Sequence, residues 1–147
     1  MPELPEVETI RRELEALIIG KYFSSPLLHM PGTIAYPEPE SFSSSLDGRR
    51  IEKMGRRGKY LLIYLDRGIL VVHLRMTGNL VYLEKGKAGD ERFLRVSLPF
   101  KDGTALQYSD MRRFGRLWLV RDEKELKEKV LKNIGPDIFE EIDCSAF

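Results

Sequence analysis

The sequence predicts an α+β fold that is mainly β: an antiparallel β-sandwich flanked by an N-terminal amphipathic helix and a C-terminal helix. Three observations carry this. Val7, Ile10, Leu14, Leu17 and Ile18 recur at helical spacing near the start. Six apolar runs of strand length fill the middle, separated by turn signals. A charged stretch of helical composition, "RDEKELKEKVLK", follows the last run.

The elements can be justified in order. The leading helix is expected over Pro5–Ile19, because Pro5 suits a first turn where the missing N–H costs nothing. Glu6 and Glu8 favour the positive end of its dipole, and Gly20 is a plausible stop. No Ser, Thr, Asp or Asn caps its start, which leaves Glu3 beside unpaired helix amides. Lys21–Leu28 reads as a strand, "HMPGTIAYPEPE" as a loop with three prolines, and Glu40–Leu46 as a short helix ended near Gly48. The strand-length runs are "KYLLIYL", "ILVVHLR", "NLVYLE", "FLRVSLPF", "TALQYS" and "RLWLV". The turn signals "DRG" and "KDG" between them are typical of hairpins, so the sheets should be antiparallel. Residues 1–132 are expected to form one catalytic N-terminal domain, and 133–147, "NIGPDIFEEIDCSAF", an interdomain linker remnant.

The 147 residues suffice for one domain with a real core. No apolar run approaches the ~20 residues of a membrane helix, so no membrane partner is expected. The acidic start has no secretory pattern, which makes the cytosol the default. Cys144 is the only cysteine, so neither an internal disulfide nor a four-cysteine zinc site can form within the chain. The net charge is +1, yet Arg49–Arg75 holds eight cations against Glu52 and Asp66, leaving the remainder at −5. Such a stretch suits a polyanion-facing surface or, equally, a cationic sheet edge that discourages aggregation.

Candidate chemistry begins at Pro2. Initiator methionine is readily removed before proline, which would leave Pro2 as a free secondary amine. With a pKa near 8, roughly a tenth of such amine is uncharged at pH 7 and nucleophilic. Attack on a carbonyl-like carbon gives an iminium that acidifies the neighbouring C–H, and Glu3 is the nearest proton donor or acceptor. The bland alternative is that Pro2 and Glu3 merely lead into a helix.

Four blocks decide between these readings. "PELPEVET", "GRRGKYLL", "HLRMTG" and "DMRRFGRL" closely resemble the formamidopyrimidine-DNA glycosylases, in that family's order and approximate spacing, from Met1 to about Val120. "PELPEVET" favours this branch over the sister endonuclease VIII group. The resemblance implies base-excision repair: a DNA glycosylase with abasic-site lyase activity that removes oxidised purines such as formamidopyrimidines and 8-oxoguanine by β,δ-elimination. It implies that Pro2 is the nucleophile at C1′, Glu3 the acid/base, and Lys59 a catalytic contact to DNA phosphate. Met76, Arg112 and Phe114 would match the trio inserted into the duplex when the damaged base leaves. Without the resemblance, Met76 and Phe114 would read as core, Lys59 as a solvated strand end and His73 as an interior residue. Arg57, His73, Arg95 and Arg113 are weaker DNA-contact candidates.

The sequence departs from the family in two places. A His-x-His pattern usually precedes the "VSL" region, where this chain has Phe93-Leu94-Arg95, so a phosphate contact is either missing or supplied instead by Arg92 or Arg95. The family also continues into a helix–two-turn–helix domain and a four-cysteine zinc finger, neither expected here. The chain is thus expected to be a truncated, weakly active N-terminal fragment, with a naturally short paralogue the alternative. The implied partner is damaged double-stranded DNA, and the implied home the bacterial cytoplasm, associated with the nucleoid. A monomer without organic cofactor or metal is expected, zinc belonging to the absent finger. The competing functional classes are a non-catalytic DNA-binding β-sandwich, an endonuclease VIII-like glycosylase for oxidised pyrimidines, and an interaction domain without a nucleic-acid role.

Overall fold

Helical and strand periods meet in a two-sheet sandwich. The computed structural model describes residues 4–75, 78–87, 89, 92–112 and 115–131. Helix α1 spans Leu4–Ile18 and α2 Pro39–Leu46; α3, Glu123–Lys129, follows the last strand. The strands are β1 Leu27–Leu28, β2 Ile34–Tyr36, β3 Ile51–Arg57, β4 Tyr60–Leu65, β5 Ile69–His73, β6 Gly78–Leu83, β7 Leu94–Pro99, β8 Ala105–Asp110 and β9 Arg116–Val120. One sheet has the order β1-β7-β8-β6 and the other β2-β9-β5-β4-β3.

The alternation of side chains explains why β4 and β5 read as nearly unbroken apolar runs. Leu61, Ile63 and Leu65 enter the core between the sheets, as do Leu70 and Val72; Val96, Leu98, Leu106 and Tyr108 meet them from the other sheet. Leu62, Ile69 and Val71 point the opposite way, where Leu126, Val130 and Leu131 cover them. Strands buried on both faces lose the polar half of their pattern. Asp122 caps α3 by accepting the Glu125 N–H at 2.9 Å, which fixes where the covering helix starts.

Helix α1 buries Val7, Leu14 and Ile18 against the same core. Its 15 residues extend about 22 Å at 1.5 Å per residue, enough to run the length of the sandwich. Near its start, the Arg56 Nε–H donates to Glu8 at 3.2 Å. Just past its far end, the Gly20 N–H donates to the Ile51 carbonyl at 2.8 Å. The helix therefore runs antiparallel to β3, and its N-terminus lies at the end of the sandwich where β3 finishes.

Three local expectations change. Lys21–Leu28 is not one strand: Tyr22 and Phe23 form single bridges to Arg50 and Phe100, one to each side, before the short β1. "HMPGTIAYPEPE" contains more than a loop, because Pro31–Thr33 forms a 3-10 turn and β2 pairs parallel with β9. A parallel pairing comes from distant sequence and has no local turn signal. Strand β3 was not expected. A register shift between Ile51 and Lys53 breaks its period-two pattern, and its edge position leaves Glu52 and Lys53 exposed. The expected linker at 133–147 lies outside the described residues.

Candidate active site

Strand register gathers the chemistry-bearing loops. Tyr60 pairs with His73, and His73 with Arg116, so these residues form one row across β4, β5 and β9. Lys59 directly precedes this row on β4 and Gly115 on β9. With strands about 4.8 Å apart, two strand spacings place those backbones roughly 10 Å from each other. In the other sheet Gly78 pairs with Asp110. Two connections, from β5 to β6 and from β8 to β9, cross between the sheets at this end, which is also where α1 begins.

Lys59 is half-buried in the turn between β3 and β4. Arg56 fastens that turn to the helix, donating to Glu8 through Nε and to the Gly58 carbonyl through Nη1 at 2.9 Å. Glu8 also accepts from Arg11 at 2.7 Å and from Arg12 at 3.0 Å. The Arg11 bond leads these contacts in holding the Glu8 carboxyl down to about 2. Arg57 points to the opposite face of β3 and meets Glu123 of α3 at 2.8 Å.

His73 is 7% exposed, with its ring 4.3 Å from that of Tyr60. Its Nδ1 is buried and lacks a hydrogen-bond partner. Burial, reinforced by the charges of Arg75 and Lys59, lowers its pKa to about 4, so the ring is neutral at pH 7. After His73 the chain turns sharply. Arg75 takes a positive φ of 57°, and the Gly78 N–H donates back to the Leu74 carbonyl at 2.8 Å. A Cβ on Gly78 would stand 2.3 Å from that carbonyl oxygen, so the close return requires glycine. Met76 and Thr77, which stand between Arg75 and Gly78 in the sequence, lie outside the described residues.

The other crossover is organised by a residue that sequence reasoning missed. Asp110 is 1% exposed. Its Oδ2 accepts the Tyr108 O–H at 2.9 Å and the Gly115 N–H at 2.7 Å. Its Oδ1 accepts the Arg112 N–H at 3.2 Å. Arg95 is half-buried and donates through Nε to the Asp110 carbonyl at 2.9 Å. Arg112 is exposed between these anchors. An Asp at a strand end before a polar loop is a known backbone-bonding signal, and "SDMRRFG" carries it. Pro2, Glu3, Arg113 and Phe114 lie outside the described residues.

The fold and this arrangement define a class: a two-sheet β-sandwich with cationic loops and a helix start collected at one end. Residues 1–117 match the family described as the formamidopyrimidine-DNA glycosylase N-terminal domain, and the chain belongs to that family. It is 42% identical over 148 aligned positions to the formamidopyrimidine-DNA glycosylase of Bacillus subtilis, covering 100% of this chain and 53% of that protein. The corresponding enzyme of Moorella thermoacetica is 44% identical, with 93% of this chain and 50% of the relative covered. Among solved structures, MutM in complex with DNA containing carbocyclic 8-oxo-G is similar at a TM-score of 0.81 and 36% identity, covering 92% of this chain and 50% of that one. A Lactococcus lactis Fpg complex with abasic-site DNA matches with a TM-score of 0.81 and 35% identity, over 92% of this chain and 50% of the other. The chain thus spans about half the length of the curated relatives it matches.

Proposed function

We propose that this chain is the catalytic portion of a bifunctional DNA glycosylase and abasic-site lyase acting on oxidised purines in double-stranded DNA. The observation that supports it best is the collection of Lys59, both crossover loops and the start of α1 at one end of the sandwich, in a chain of this family. Pro2 and Glu3 immediately precede α1 in the chain.

With Met1 removed, the Pro2 nitrogen attacks C1′ of the damaged nucleotide. The N–C1′ bond forms as the bond to the base breaks, and the base leaves with a proton. Glu3 serves as the proton donor for opening the sugar ring. The resulting iminium has no N–H to lose, so it acidifies the adjacent C–H. Successive loss of the 3′- and 5′-phosphates cuts the strand on both sides. Lys59 contacts a phosphate beside the lesion. Extruding the nucleotide costs a few kcal/mol. Met76 and Phe114 hold the opened stack as apolar wedges, and Arg112 takes the orphaned partner base with its planar donors. Arg57, His73, Arg95 and Arg113 are secondary contact candidates; of these, Arg57 is engaged by Glu123 and Arg95 by the Asp110 carbonyl.

In this reading residues 1–132 form the catalytic domain and 133–147 lead out of it. The helix–two-turn–helix and zinc-finger domains belong to the half of the relatives' length that this chain does not span. Among the described residues no cluster of three or more His, Cys, Asp or Glu could hold a metal, and none of the helices there is long and apolar enough to cross a membrane. The bacterial cytoplasm, at the nucleoid, is the proposed place of action.

The test is borohydride trapping on duplex DNA with an abasic site, at low salt and high protein concentration. Three forms are compared: Pro2 free, Met1 retained, and Pro2→Gly. The free form should give a covalent adduct, Pro2→Gly less, and the Met1-retaining form none. Equal trapping by the free and blocked forms would assign the adduct to surface lysines and overturn the reading.

A further inference from the structure

We propose that Asp110 is a positioning residue for Arg112: its single carboxylate holds the backbone amides of both Arg112 and Gly115 and so sets how Arg112 meets the partner base. The inference rests on the role proposed above for Arg112, and its novelty lies in what aims that side chain.

The geometry is that of a brace. Oδ1 holds the Arg112 amide at the loop's start, while Oδ2 holds the Gly115 amide at its end. Neither amide can leave this buried acceptor pair without weakening the satisfaction of a buried carboxylate, which is costly. The brace is itself braced. The Tyr108 O–H donates to Oδ2, and burial together with the neighbouring carboxylate raises the Tyr108 pKa, so the phenol remains a donor. Gly115 is required for this contact, because a Cβ there would stand 1.5 Å from the Tyr108 oxygen and 2.8 Å from the His73 carbonyl. On the backbone side, the Asp110 N–H donates to the Phe93 carbonyl at 2.9 Å and its own carbonyl accepts Arg95. Strand β8 therefore hands a rigid carboxylate to the loop.

Asp110→Asn separates the two anchors. One amide oxygen can still accept from both Tyr108 and Gly115. The NH2 then faces the Arg112 N–H, donor against donor, so the Arg112 end is released while the Gly115 bond is kept. Three measurements on the full chain with Met1 removed test this. The first is 2-aminopurine fluorescence opposite a tetrahydrofuran abasic analogue in duplex DNA, at saturating protein. It reports engagement of the partner base and needs no chemistry at Pro2. The second is borohydride adduct formation on an abasic duplex, which needs no base extrusion. The third is thermal melting.

The wild-type fluorescence change should fall at least about threefold in Asp110→Asn, approaching Arg112→Ala, since small misplacements at a site have large effects. Adduct formation should stay within about twofold and the melting transition within a few degrees. Tyr108→Phe, which keeps the ring and removes one donor, should lose fluorescence in the same direction by less. A full fluorescence change in Asp110→Asn would overturn the proposal, as would a fluorescence loss matched by equal losses of adduct and melting temperature. Should Asp110→Asn not fold, the same criteria apply to Tyr108→Phe. Absence of a Pro2 adduct in the wild type would instead sink the proposed function, and the fluorescence would still report on Asp110.

Discussion

At one end of the sandwich, Asp66–Gly68 and Lys101–Thr104 return the chain within a sheet; at the other, residues 74–77 and 111–115 carry it from sheet to sheet. The first end is closed by tight turns with Gly68 and Gly103 at positive φ. Its charges are largely paired: Lys21 with Asp102, Arg50 with Glu52, and Lys101 with Asp47 at 3.0 Å. The Lys21 bond leads in holding the Asp102 carboxyl down to about 2. At the crossover end charges pair as well, Glu8 with Arg11 and Arg56, and Arg57 with Glu123, but the carboxylate of Asp110 turns inward onto backbone amides. The within-sheet turns are closed by glycine geometry and, at Lys101–Thr104, by the Asp102 side chain. Of the two crossovers, one is closed by the Gly78–Leu74 backbone bond and the other by the buried Asp110 carboxylate.

The difference should appear first in glycine substitutions. Gly115→Ala places a Cβ inside the Tyr108 oxygen and against backbone, so about 3 kcal/mol or more of stability should be lost. Gly103→Ala meets only the flexible Lys85 side chain at 3.0 Å, and its φ of +94° should cost about 1 kcal/mol. Urea denaturation of both variants checks the order, and equal losses would break the comparison.

His73 supplies the next contrast. Its pKa falls from 6.5 in the unfolded chain to about 4 in the fold. Between those values the unfolded chain binds a proton that the native state refuses. Stability is therefore complete above pH 6.5 and declines as pH falls toward 4, by up to about 3 kcal/mol. His73→Phe keeps a ring beside Tyr60 and should flatten this dependence in denaturation series at pH 7, 6 and 5. An unchanged slope would place the sensitivity elsewhere.

The smallest effect concerns DNA affinity. Lys59→Met should reduce the slope of log affinity against log salt by about 1. Lys101→Met, at the opposite end and paired with Asp47, should leave it unchanged. Fluorescence anisotropy across a salt series distinguishes them, and equal slopes for the two variants would contradict a polar division of the molecule.

The same contrast accounts for what could be read in advance. The cationic stretch Arg49–Arg75 looked like one surface, yet the fold distributes it. Arg49 donates to the Arg67 carbonyl at the turn end, whereas Arg56 and Lys59 belong to the crossover end. Strand β3, its charged middle, is a sheet edge, so part of the run fits the anti-aggregation reading.

By itself the sequence determined α1, α2, the six strands β4 to β9, α3 and the family, because each rests on local signals: helical period, apolar runs, turn glycines and contiguous motifs. Only the tertiary structure decided the rest. The parallel β2–β9 pair joins residues about 80 positions apart, and β3 hides behind a register shift. The bonds of the Asp110 brace are close in sequence, but the burial of its carboxylate and the approach of Gly115 to the His73 carbonyl come from packing. Pairing between distant strands leaves no period in the chain, since its partners are selected by packing after the strands have formed.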